Sequence, residues 1–317
     1  MNNKLKVLFV DSTHDNLPQK LTKAGFECHY MPDINPDKIK DIICDYHGII
    51  IRSKIKIDKT LIDLSSNLRF IGRVGAGLEN IDVDYAESKG IKCFNSPEGN
   101  RDAVGEHALG MLLCLFNNML KADMEVRHGK WIREGNRGLE IKGKTIGIIG
   151  YGNMGSAFAQ RLKGFDAHVI AYDKYKTKFT DNYVTEVSLN DVFEQTDILS
   201  LHVPLTDETF EMVDDEFINR FRKNIYIINT ARGKVLKTES LVKNMKQGKV
   251  LGAALDVLEY EKVSFESLHS EENIPEALNY LINSQNVVLT PHIAGWTHES
   301  NVKLSEFLAD KIIREFT

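Results

Sequence analysis

The chain has 317 residues, enough for two domains, each with its own core. With 42% hydrophobic and 27% charged residues and only modest glycine and proline, it is neither disordered nor fibrous. A net charge of −5 leaves no basic surplus for a nucleic-acid backbone, so nucleic acid is excluded as a principal partner.

The opening stretch, MNNKLKVLFVDSTHD, has an apolar run too short for a signal peptide and no cleavage site; it reads as a first strand, at 6–10, of a cytoplasmic protein. Further strands are expected at 48–52 and 70–74, followed by a connector with Pro97 and Gly99, where a hinge is expected near 97–100. A long helix-like stretch then covers 101–127, whose most apolar part, ALGMLLCLF, falls well short of the roughly 20 residues of a membrane span. A second series of short apolar runs follows at 145–150, 168–173, 198–203, 225–229, 252–257 and 286–291. Strand runs alternating with amphipathic segments signal parallel α/β sheets, and two such series imply two sheets. The chain closes with NVKLSEFLADKIIREF, an amphipathic helix expected to return to the first domain. Cys28, Cys44, Cys93 and Cys114 contain no C-x-x-C pair and read as buried free thiols of a reducing compartment; the histidines lack metal-site spacing.

The second series opens with KTIGIIGYGNMGSAFAQRL, in which a strand leads into G-x-G-x-x-G and then into helical spacing. That context assigns Gly150 to the tight turn, Gly152 to the close approach of a pyrophosphate and Gly155 to helix–strand packing, with the helix amides facing the phosphates. The next strand ends at Asp173, eighteen residues beyond Gly155, where a carboxylate accepts from ribose hydroxyls and repels a 2′-phosphate. NAD is therefore the expected cofactor, in preference to NADP.

Together, GIIGYGNMG, NTARG at 229–233, GAALDVLEYE at 252–261 and TPHIAGWT at 290–297 resemble the D-isomer-specific 2-hydroxyacid dehydrogenases over essentially the whole chain. The resemblance implies a Rossmann-type NAD-binding domain, residues 99–291, inserted into a flavodoxin-like substrate domain, residues 1–98 plus 292–317. It implies Arg232, Glu261 and His292 as the catalytic set. His292 would exchange the substrate hydroxyl proton, Glu261 would orient the imidazole and favour its charged form, and Arg232 would hold the carboxylate and polarise the carbonyl. It also extends the cofactor contacts to Asn153, Met154, His202, Val203, Pro204, Thr230, Ala231, Asp256, Ala294 and Gly295. Lys262 stands where the family commonly has proline, and the long 262–285 segment implies an inserted helix or loop beside the active site.

By the same resemblance, Gly75, Ala76 and Gly77 would offer amides to the substrate carboxylate, while Arg52, Arg73 and Arg133 correspond to arginines with which phosphoglycerate dehydrogenases neutralise a phosphate. Oxidation of 3-phosphoglycerate with NAD, the first step toward serine, is the leading expectation. Glyoxylate or hydroxypyruvate reduction and D-lactate oxidation are alternatives that use the same machinery, and an NAD-responsive corepressor is an alternative of a different class. The chain stops at Thr317 after its closing helix, so no appended sensor domain is expected. The apolar 101–127 stretch is expected to wrap a twofold partner in a homodimer, with Arg133 reaching the neighbour's site, and substrate binding is expected to close hinges near 97–100 and 291–295.

Overall fold

The computed structural model describes residues 4–261 and 274–317. The chain divides into two compact units, Met1–Asn100 with Trp296–Thr317, and Arg101–Gly295.

The first unit is built on a parallel sheet of β1 (Lys6–Phe9), β2 (Glu27–Tyr30), β3 (Gly48–Ile51), β4 (Phe70–Arg73) and β5 (Lys92–Phe94), in the order β2-β1-β3-β4-β5. This is the flavodoxin-like doubly wound order. The central strands are continuous apolar runs because both faces are covered. On one face Leu8, Ile49, Ile51 and Ile71 pack with Ile39, Ile43 and Leu61; on the other, Val7, Phe9, Ile50 and Phe70 meet the C-terminal helix. That helix, His298–Phe316, starts from a capping box in which Thr297 and Ser300 exchange side chain–backbone hydrogen bonds of 3.0 Å. Its buried Leu304, Leu308 and Ile312 recur at helical spacing, each contributing about 1.5–3 kcal/mol by leaving water.

The second unit has a seven-stranded parallel sheet: β6 (Thr145–Ile149), β7 (His168–Tyr172), β8 (Thr185–Glu186), β9 (Ile198–Leu201), β10 (Ile225–Asn229), β11 (Val250–Leu255) and β12 (Val287–Leu289). The order β12-β11-β10-β9-β6-β7-β8 is the Rossmann arrangement with one further strand, and the order reverses between β6 and β9. One face is covered by the Arg101–Phe116 and Asn153–Arg161 helices, and the other by a cluster around Phe193, Phe217, Phe221 and Leu241.

Three details depart from the sequence reading. The strands it lacks, β2, β5 and β8, all lie at sheet edges, where half-exposed residues break up the apolar run. The 101–127 stretch is two helices, Arg101–Phe116 and Met119–Arg127, parted where Asn118 takes a left-handed φ of 50°. The first is core; the second has no buried residue and, with the arm beyond it, exposes Met119, Leu120, Met124, Val126 and Trp131. Finally, the chain passes back to the first unit at 295/296 rather than 291/292, because the turn bearing His292 is hydrogen-bonded to Asp256 of the second unit.

Of the 262–285 segment, residues 262–273 lie outside the described residues; the Glu276–Asn283 helix buries Leu278 and Leu281 in the second unit's core. The four cysteines are unpaired and half-buried, and burial pushes the Cys93 thiol up to about 11. Among the described residues no helix is long and apolar enough to cross a membrane, and no cluster of potential metal ligands occurs.

Candidate active site

In the second unit, parallel pairing aligns the strand ends: Ile149 pairs with Tyr172 and Leu201, Leu201 with Asn229, Asn229 with Leu255, and Leu255 with Leu289. The next residue along each strand, Gly150, Asp173, His202, Thr230, Asp256 and Thr290, therefore emerges on one carboxyl edge. Ligands of doubly wound sheets bind at this edge, at the point where strand order reverses.

The three glycines have three separate steric causes. Gly150 has φ +93°, and a β-carbon there would come within 2.6 Å of the His202 carbonyl oxygen. A β-carbon at Gly155 would overlap the Gly150 carbonyl, so helix and strand could not close up. At Gly152, the N-cap of the Asn153–Arg161 helix, a β-carbon would meet nothing within 4 Å and would project into open space. Asn153 and Met154 begin that helix, where backbone amides are available to an anion. The open side of Gly152 suits a pyrophosphate, and the buried Thr230 hydroxyl and His202 Nδ1, without hydrogen-bond partners among the described residues, are further polar groups at the same edge.

Asp173 accepts from the Tyr151 amide at 2.8 Å and from the amides of Tyr175 and Lys176 at 2.9 and 3.0 Å. His202 is buried beside Phe158, with Nε2 2.8 Å from Ser200 Oγ, and burial pushes its pKa down to about 3. Val203 packs by Gly150, and Pro204 O accepts from Thr209 Oγ1 at 2.6 Å.

His292 and Glu261 meet as the resemblance implies: Nδ1 lies 2.6 Å from Glu261 Oε2, and both side chains are largely buried. The other Glu261 oxygen accepts the Leu258 amide, so the carboxylate is fixed at both ends. His292 holds a left-handed φ of 55°, a strained conformation for a non-glycine residue. Asp256 holds it there. Its backbone carbonyl accepts the His292 amide at 2.8 Å, while its carboxylate accepts the Ile293 and Ala294 amides at 2.9 Å each and the Thr290 hydroxyl at 2.5 Å. Burial alone would raise this carboxyl, but His107, Thr290 and the two amides outweigh it and hold Asp256 below the usual carboxylate range. Asp256, expected as a cofactor contact, is thus first a clamp on the His292 turn. His107, from the Arg101–Phe116 helix, completes the clamp at 3.1 Å from Thr290 Oγ1, and no motif in the sequence pointed to it.

Arg232 donates from Nη1 to the Ala231 carbonyl at 2.7 Å, and the Ala231 amide donates to Asn229 Oδ1 at 3.0 Å. A β-carbon at Gly233 would overlap the Leu258 carbonyl, so the Arg232 turn packs directly on the backbone that leads to Glu261. An acid–base imidazole, its orienting carboxylate and a guanidinium on adjoining turns can move a proton and bind a carboxylate. Gly295 is the last residue of this unit, and Arg133 is exposed on the arm after Met119–Arg127.

In the first unit, Arg52 and Arg73 follow or end the adjacent strands β3 and β4, at their carboxyl edge. Arg73 Nε donates to the Arg52 carbonyl at 3.3 Å, the Arg73 guanidinium lies against Gly75, and the Arg52 guanidinium stacks 4.7 Å over Trp296. Burial draws the Arg52 pKa down, opposed by Asp11 and Tyr30. The Gly75 and Ala76 carbonyls are bound by the Ser96 amide, at 2.9 Å, and Asn95 Nδ2, at 2.5 Å. Among the described residues, the amides of Gly75, Ala76 and Gly77 donate to no protein group.

Residues 109–294 match the model of the D-isomer specific 2-hydroxyacid dehydrogenase, NAD binding domain. The chain is 36% identical over 282 residues to hydroxypyruvate reductase of Thermotoga maritima, covering 89% of each chain. It is 32% identical over 311 residues to D-3-phosphoglycerate dehydrogenase of Archaeoglobus fulgidus, covering 98% of this chain but 57% of that protein's length. Among solved structures it is similar to D-lactate dehydrogenase of Aquifex aeolicus complexed with NAD and lactic acid, with a TM-score of 0.82, 27% identity, and coverage of 98% and 95% of the two chains.

Proposed function

Because the chain belongs to the D-isomer-specific 2-hydroxyacid dehydrogenases, NAD-dependent oxidoreductases acting on CH–OH groups, we propose that it interconverts 3-phosphoglycerate and 3-phosphohydroxypyruvate. The overall change is D-2-hydroxy acid plus NAD⁺ to 2-oxo acid, NADH and a proton. NAD, when bound, takes up or gives back the C2 hydride. The Gly150–Gly155 turn would hold its pyrophosphate, and Asp173 its ribose.

His292 is the proton-transfer group. Glu261 holds Nδ1, and the proton exchange is assigned to the opposite ring atom, Nε2, which removes the hydroxyl proton in oxidation and returns it in reduction. Glu261 is a positioning residue: through its contact with Nδ1 it fixes the imidazole's tautomer and orientation. Arg232 binds the carboxylate and draws electron density from the C2 oxygen; its planar fork can do both, which an ammonium cannot.

The observation that carries the phosphate reading is the pairing of Arg52 and Arg73 at one carboxyl edge of the first unit's sheet, beside three amides with no protein acceptor among the described residues. Hydroxypyruvate, without the phosphate, is the second reading, favoured by a relative that matches over 89% of its length. Reduction of phosphohydroxypyruvate, hydroxypyruvate, glyoxylate and pyruvate at equal concentration, followed at 340 nm, separates them. Phosphohydroxypyruvate should win by at least tenfold in kcat/KM and lose that lead in Arg52→Ala; an unphosphorylated acid in first place overturns the substrate assignment while leaving the machinery intact.

We also propose a cytoplasmic homodimer, supported by the unpaired thiols and by the exposed apolar residues of the Met119–Arg127 helix and its arm. Sedimentation should give twice the chain mass for the wild type and a monomer for Leu120→Glu/Trp131→Glu. A monomeric wild type refutes it.

A further inference from the structure

The Asp173 end of β7 carries both signs of charge. Asp173 is followed at once by Lys174, Tyr175 and Lys176, and its carboxylate already serves three backbone amides. At this strand end an acidic group selects a free ribose and a basic group accommodates a 2′-phosphate. Asp173 on its own is therefore an incomplete discriminator, with a lysine next to it in the chain.

That lysine is occupied. Lys174 Nζ lies 2.8 Å from Glu208 Oε1, and the Tyr175 hydroxyl lies 2.5 Å from Glu208 Oε2. Lys176 donates to the Tyr151 carbonyl at 3.1 Å. Glu208 comes from the loop after β9, and β9 and β7 flank β6, so its carboxylate bridges the two loops on either side of the strand that leads into the glycine turn. All three side chains of the bridge are more than half exposed, and packing of the core does not require them.

We propose that Glu208 is a cofactor-selecting residue: by holding Lys174, it prevents that ammonium from neutralising a 2′-phosphate, and rejection of NADP rests on Glu208 and Asp173 together. This rests on the family's NAD binding and adds to it a residue outside the nucleotide motif. Removing Glu208 subtracts one negative charge and releases one positive charge beside a phosphate bearing about two. At contact distance in a solvated site, that is worth about a tenfold change in affinity, and salt should diminish it.

The test is fluorescence titration of the full chain with NADH and NADPH, in low and high salt, for wild type, Glu208→Gln, Lys174→Ala and the double variant. Glu208→Gln should bind NADPH about tenfold more tightly, with NADH moved less than twofold, and the gain should shrink in high salt and vanish in the double variant. An unmoved NADPH affinity, equal shifts for both cofactors, or a gain that persists without Lys174 overturns the inference. Failure of the wild type to bind NADH would remove the cofactor reading itself and this inference with it.

Discussion

Asp256→Asn is the most informative single change, because it separates a clamp from a cofactor contact. The carboxylate is buried and meets three close donors: the Thr290 hydroxyl and Ile293 amide on Oδ1, and the Ala294 amide on Oδ2. Whichever way the asparagine amide turns, its NH₂ faces at least one donor. The best orientation strands the Ala294 amide, a cost of about 1–3 kcal/mol, and changes the other two bonds from charged to neutral acceptors at about 0.5–1.5 kcal/mol each. The expected loss is about 3 kcal/mol of unfolding free energy, measured by urea denaturation without cofactor. Because the same bonds hold His292 at φ 55°, kcat should fall at least tenfold in the same protein. Unchanged apo stability, with only NADH binding weakened, would refute the clamp and leave Asp256 a cofactor ligand.

Two further expectations follow from the glycine turn and its neighbour. Gly152→Ala should leave the urea midpoint almost unmoved and weaken NADH binding at least tenfold, whereas Gly155→Ala should cost about 2–4 kcal/mol of stability; matching behaviour would contradict their separate steric roles. His202 remains neutral when folded, with a pKa of about 3 against about 6.5 unfolded, so below pH 6.5 the unfolded chain binds a proton that the folded one does not. Stability should therefore fall by about 2 kcal/mol from this group between pH 6.5 and 5.0, a loss missing from His202→Gln; parallel pH profiles for the two proteins would count against it.

How much was legible in the sequence follows from what each feature leaves in local residue order. Buried parallel strands leave apolar runs, and nine were readable; β2, β5 and β8 were not, since half-exposed residues interrupt them, whereas β12, also at an edge, keeps the apolar run VVL. The glycine turn was legible because all three glycines fall within six residues: Gly155 answers a clash with the Gly150 backbone, Gly150 one with the adjacent strand end at His202, and Gly152 leaves its side of the turn open. The Glu261–His292 pair was accessible only through resemblance, because its partners are 31 residues apart. His107 and Glu208 were invisible: each reaches its partner from another element, and nothing in its own neighbourhood marks it. The break at Asn117–Asn118 was written as two polar residues in an apolar stretch, yet only a left-handed backbone turns that into a helix end.

The aligned strand ends of the second unit have a consequence for how this site tolerates change. Six strands share one baseline, and each delivers its own residue one position beyond it. One residue inserted within β9 would advance His202 by about 3.3 Å and reverse its face, while Gly150, Asp173, Thr230, Asp256 and Thr290 stayed in register. Length variation in the loops beyond that baseline carries no such penalty. Lengthening a loop would therefore change what the site reaches for, whereas a single-residue change in strand length would displace a site residue.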